Sequence, residues 1–158
     1  MSDARFEDGA EQPLRLIAQD AEGLAVLATL LQDAVFPITE MSLVRQKRRF
    51  ALMLNRFRWE DRDAAEKAGR KFERVQSLLV FEDVLAVRSQ GIDRGDKDMI
   101  LSLLDISFTP GEDGTGLVTL ILAGDGAIGL QVEALDASLR DVTRPYLAPS
   151  GKVPEHGV

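Results

Sequence analysis

The chain has 158 residues, 45% of them apolar and 28% charged, enough for one domain with a buried core and too few for two. It contains no cysteine, which excludes disulfides, thiolate metal sites and cysteine nucleophiles and suits a reducing compartment. A net charge of −7 opposes nonspecific attraction to nucleic acid or to an anionic membrane.

Residues 1–12, MSDARFEDGAEQ, carry three acids before residue 9 and no apolar run, so they read as a disordered arm rather than an export signal. No stretch of the chain approaches the roughly 18 to 20 apolar residues that cross a bilayer. The expectation is a cytoplasmic protein with no membrane contact.

PLRLIAQ, residues 13–19, alternates Leu14, Leu16 and Ala18 with polar neighbours and predicts a half-buried strand. Asp20 is placed to N-cap a helix over AEGLAVLATLLQDA, where Leu24, Leu27, Leu31 and Ala34 recur at helical spacing and Leu30 widens the stripe. VFPITEMSLV, residues 35–44, is rich in strand formers. Pro37 cannot donate to a ladder, which puts that segment at a sheet edge or a bulge.

RQKR is a polar loop, and RRFALMLNRFRWED, residues 48–61, follows it. Alternation along a strand sets Phe50, Leu52, Leu54, Arg56 and Arg58 on one face and Ala51, Met53, Asn55, Phe57 and Trp59 on the other. The rings at 57 and 59 are expected in the core or on a sheet face. Between Arg45 and Arg74 there are eleven Lys or Arg and five Asp or Glu, a local +6 that leaves −13 for the rest. This basic strip offers a candidate anion or partner contact through Arg45, Lys47, Arg48, Arg49, Arg56 and Arg58. Binding of single strands wants rings and cations on one shared surface, and the alternation separates them. Arg56 and Arg58 have two readings: an exposed pair able to hold a phosphate or carboxylate, or partners of acids on a neighbouring strand. Residues 60–74 lack an apolar period and read as a long connection with a helical turn or two, in which Asp63 with Lys67 and Glu66 with Arg70 are spaced to pair.

Four strand candidates follow, VQSLLVFEDVLAVRSQ, DMILSLLDISFTP, GLVTLILAG and AIGLQVEA, separated by the turn sequences GIDRGDK, GEDGTG and GDG. Ile128, Leu130 and Val132 form a one-sided row, and Ile100, Leu104, Ile106 and Phe108 form a similar one. Leu135, Leu139 and Val142 stand at i, i+4, i+7 and predict a second helix near the C-terminus, stopped by Pro145. The expected architecture is one α+β domain over residues 13–144, mainly antiparallel sheet of about seven strands, with one helix after the first strand and one near the C-terminus. Residues 145–158 read as a tail.

Chemistry is sparse. The single histidine, His156, lies three residues from the end of the tail, where nothing holds it for proton transfer. Glu82 and Asp83 are adjacent and point oppositely if in a strand. The DRGDKD run lacks the glycine and glutamate that complete an EF-hand loop and reads as a turn with local side-chain bonds. The glycines of GEDGTG and AGDGAIG match no phosphate-loop pattern. No catalytic, cofactor or metal residue is assigned, and an enzyme is disfavoured.

LQDAVF, RRFALMLNRFRWE, LLVFEDVLAVRSQGID, LSLLDISFTPGEDGTGLVTLILAGDGAIGLQVEAL and the closing PEH together resemble a bacterial family known as domain of unknown function 2948, over residues 13 to 156. The resemblance implies a compact bacterial intracellular domain and brings no activity, ligand or catalytic residue with it. The functional expectation is a noncatalytic protein-interaction or regulatory module that works with a protein partner or as a homodimer. The alternative is RNA or other polyanion binding through residues 45–58.

Overall fold

A computed structural model describes residues 13–69 and 73–147. The N-terminal arm, His156, Arg70 and most of the C-terminal tail lie outside these residues. Among the described residues, eleven strands and two α-helices make an α+β fold dominated by one antiparallel sheet. The strands are β1 (Arg15–Ala18), β2 (Val35–Pro37), β3 (Met41–Val44), β4 (Arg49–Phe57), β5 (Glu73–Phe81), β6 (Val84–Gln90), β7 (Ile100–Pro110), β8 (Gly116–Leu122), β9 (Ala127–Val132), β10 (Ala137–Asp141) and β11 (Tyr146–Leu147). The helices are α1 (Ala21–Leu30) and α2 (Arg62–Ala68). The strand order is β1-β10-β5-β4-β2-β7-β8-β9-β6, with β3 on β4 and β11 on β5.

α1 starts where its sequence predicts and ends four residues earlier than expected, at Leu30, with Asp33 beyond it at φ 65°. Asp20 is extended and its carboxylate accepts from the Gly23 amide at 2.7 Å, which satisfies one of the four free amides of the first turn. Leu24, Leu27, Leu31 and Ala34 are all buried and join the core. β9 also keeps its pattern, with Ile128, Leu130 and Val132 inward.

Three expectations are corrected. The strand count rises from about seven to eleven, partly because VQSLLVFEDVLAVRSQ is two strands: the chain breaks at Glu82-Asp83, where Asp83 takes φ of 56°, and β5 and β6 diverge. The helix expected near the C-terminus is β10. Its spacing suits a helix, but β1 and β5 flank residues 137–141 on both sides, and the ladder buries Ala137 and Leu139 on alternate positions. The helical turns expected in the polar connection are α2, closed by Gly69 at φ 64°. In β7 the register shifts between Leu103 and Asp105, so the inward row is Leu101, Leu103 and Ile106, while Ile100 and Leu104 are 60% and 41% exposed. Pro37 behaves as a local edge: β2 lies between β4 and β7, yet it meets β4 only at Val35 and Asn55, and Pro37 pairs with β7 alone.

β6, at the end of the strand path, starts with the Val84 amide donating to the Arg48 carbonyl at 2.8 Å, so the sheet curls back toward β4. One apolar cluster fills the interior, from α1 through Phe36, Leu52 and Leu79 to Val118 and Leu130.

Candidate functional site: a charge-poor face on strands β6 to β9

Four of the six candidate cations are taken up in ion pairs within the chain, Arg48 and Arg49 at the surface and Arg56 and Arg58 buried. β4 carries Phe50, Leu52, Leu54 and Arg56 on its inward row, so Arg56 enters the interior at the end of an apolar series. Its side chain is fully buried and meets the Asp141 carboxylate, which is 4% exposed, and Glu60, which is 31% exposed. Two nitrogens reach Glu60 at 2.8 Å each, and Nε also donates to the Ser77 hydroxyl at 3.1 Å. Desolvation works against both charges, but the pairing outweighs it: Arg56 is held above the ordinary arginine value and Glu60 below the ordinary glutamate value. Arg58 is nearly buried and donates to Glu73 at 2.9 Å, with Asp61 at 3.7 Å. Both arginines are therefore paired within the fold rather than displayed on a strand face.

The remaining cations divide. Arg48 bonds Glu133, and Arg49 bonds Glu82 through Nε at 2.9 and 3.1 Å. Arg45 and Lys47 are exposed and form no ion pair among the described residues. Arg45 and Arg94 line a small cleft of about 120 Å³ between β3 and β6, floored by Phe50 and Ile128. Trp59 leaves the strand for a 3₁₀ turn, half-buried, its indole N–H donating to the Gln32 carbonyl at 3.0 Å and its ring 5.6 Å from that of Phe57. Phe57 is buried beneath the Arg74 guanidinium, 4.5 Å above its ring.

Acidic clusters resolve as local structure. In DRGDKD the Asp93 and Asp96 carboxylates accept from the Gly95 and Asp98 amides at 3.0 and 3.1 Å, the turn expected from its composition. Glu82, Glu133, Glu66, Glu73 and Asp141 each accept from an arginine.

The larger open surface is the outer face of β7, β8, β9 and β6. Because Val118, Leu120 and Leu122 in β8 and Ile128, Leu130 and Val132 in β9 point inward, their neighbours point out. The registers align them in three rows. Thr109, Leu117, Gln131 and Ala86 make the first, and Ser107, Thr119, Gly129 and Arg88 the second. Asp105, Ile121, Ala127 and Gln90 make the third. Arg88 and Asp105, at opposite borders, are the only charged residues of the twelve. Leu117 and Ile121 remain 43% and 37% exposed. Ala127 and Gly129 leave the β9 side of the middle low, and with Ala86 on β6 they line a groove of about 540 Å³ that runs over β6, β9 and β8.

Gly129 has no steric reason to be glycine. A side-chain carbon there meets nothing nearer than the Leu117 Cδ1 at 3.5 Å, whereas glycine inside a strand weakens it. The outward positions of β9 were legible as the polar half of its alternation. Their alignment with β6, β7 and β8 was not, because register is set by pairing across the sheet.

No curated protein and no solved structure matches the chain. A family model described as "Protein of unknown function (DUF2948)" matches residues 14–156. The chain belongs to the DUF2948 family, the family that its sequence segments resemble.

Proposed function

We propose that the protein is a noncatalytic protein-interaction module and that it binds through the outer face of β6 to β9. The observation that carries this reading is the face itself: twelve aligned outward residues with two opposite charges, two exposed aliphatic side chains and a low centre. Contact surfaces need apolar area that can be desolvated cheaply, and charge depletion at the centre is their compositional mark. The ion pairs around β4 support the same reading, since they tie carboxylates and guanidiniums into the fold.

A photoreactive benzophenone side chain at Thr119 tests it, with the same group at exposed Asp63 on α2 as control. Protein adducts at Thr119 and none at Asp63 support the reading. Absence of any protein adduct at Thr119 rejects it.

A second reading, polyanion binding, rests on Arg45 and Arg94 sharing one cleft. With two or three cations available in place of six, affinity for a single-stranded polynucleotide falls with salt at a log–log slope of about −2. A flat salt response removes this reading.

A further inference from the structure

We infer that the occupant of this face is a second copy of the chain, docked face to face about a two-fold axis that runs along the strands between β8 and β9. The inference rests on the interaction-module reading and names its partner.

Sheets pack face to face with strands nearly aligned and about 10 Å between them, so two arrangements are simple for identical faces. With the axis across the strands, each row-two residue meets its own copy. Arg88 then faces the partner's Arg88, a like-charge contact, and Leu117 stands on the partner's Ile121, holding the sheets apart over the glycines. With the axis along the strands, β8 lies over the partner's β9 and β7 over the partner's β6. Ile121 then settles on the partner's Ala127, and Thr119 on the partner's Gly129, bulk into space. Asp105 lies one row from the partner's Arg88, about 7 Å along the strand, a gap that an arginine side chain spans. The two-fold repeats this pair at the opposite border. An isologous interface must be complementary to itself, and only this arrangement makes the face so.

Net charge directs the choice of surface. Two chains of −7 repel, and contact is least opposed where a face sums to zero, as this one does with one arginine and one aspartate. The low centre left by Gly129 and Ala127 has a use in this assembly, since it lets the second sheet approach.

The test is sedimentation equilibrium of the full chain over a concentration series, with Arg88→Asp, Asp105→Arg and an equimolar mixture of the two variants. The wild type is expected to dimerise. Each single variant places like charges opposite each other in its own homodimer and weakens association by about tenfold or more, since such contacts cost several kcal/mol. Mixing the two variants restores opposite charges at both borders, and association returns to within about threefold of the wild type. Circular dichroism of each variant confirms folding. A monomeric wild type, or a dimer unmoved by either single variant, overturns the inference. Should the wild type be monomeric while the Thr119 probe still labels another protein, the partner is wrong and the interaction reading stands. Absence of any adduct rejects both.

Discussion

Arg56 Nη2 lies 3.0 Å from both oxygens of Asp141, joining β4 to β10 across the intervening β5, with neither side chain open to solvent by more than a few per cent. Truncating one member of such a pair leaves the other charged and buried. Asp141→Ala is therefore expected to cost about 3 to 5 kcal/mol, read as a fall in the urea midpoint. Arg56→Met with Asp141→Leu should recover at least half of that loss, because no fully buried charge is then stranded: Glu60, which also loses its partner, is 31% exposed. A single variant within about 1 kcal/mol of wild type would show that the pair is not internal.

Glu60 gives the pair a pH signature. Its folded value lies below the ordinary 4.5, so its contribution to stability is complete above that value and is lost as pH falls through the lower folded one. Thermal melts should show wild type above Glu60→Gln at neutral pH, with the two converging under acid. Curves that stay parallel down to the most acid melt would contradict the assignment.

Trp59 is half-buried, so its removal is expected to cost less than that of a fully enclosed ring. Trp59→Ala should destabilise by about 2 kcal/mol, below the usual 3 to 5 for buried aromatics. Trp59→Phe keeps the contact with Phe57 and loses the bond to the Gln32 carbonyl, about 1 kcal/mol. Chemical denaturation followed by far-ultraviolet dichroism measures both, and equal losses would deny the hydrogen bond a role.

Two strand glycines should respond oppositely to the same change. At Gly116 an added carbon falls 2.4 Å from the Phe108 ring and 2.8 Å from the Thr109 carbonyl, so Gly116→Ala is expected to cost about 2 kcal/mol or more. Gly129→Ala has room and should be neutral or stabilising by a few tenths of a kcal/mol. Thermal unfolding of the two variants separates them, and a severe loss at 129 would mean that its glycine serves packing.

Local periodicity made α1 and β9 legible, because each buries one stripe against a single neighbouring layer. It failed at residues 135–142, where three apolar residues at helical spacing also satisfy a short strand once β1 and β5 are present to pair with it. The phase change in β7 was hidden because a bulge inserts one residue without altering composition. Arg56 carried a readable signal, an arginine closing the inward row Phe50, Leu52, Leu54. Its partner Asp141, 85 positions away, carried none. The face of β6 to β9 was half visible, as the polar positions of one strand, and needed the registers of three others to become a surface.

Asp141 does one thing more. Its carboxylate accepts from the Leu14 amide, and its own amide donates to the Leu14 carbonyl, each at 2.9 Å, fastening β1 to β10 across 127 positions of sequence. A ribosome adding about 5 to 20 residues per second releases β1 roughly 6 to 25 seconds before the strand that will hold it. Over that interval the nascent chain presents an unmatched strand carrying Ile17 and a guanidinium at position 56 with half its counter-charge still unmade. The Leu14 junction, and with it the β1 edge of the sheet, can close only after residue 141 has emerged.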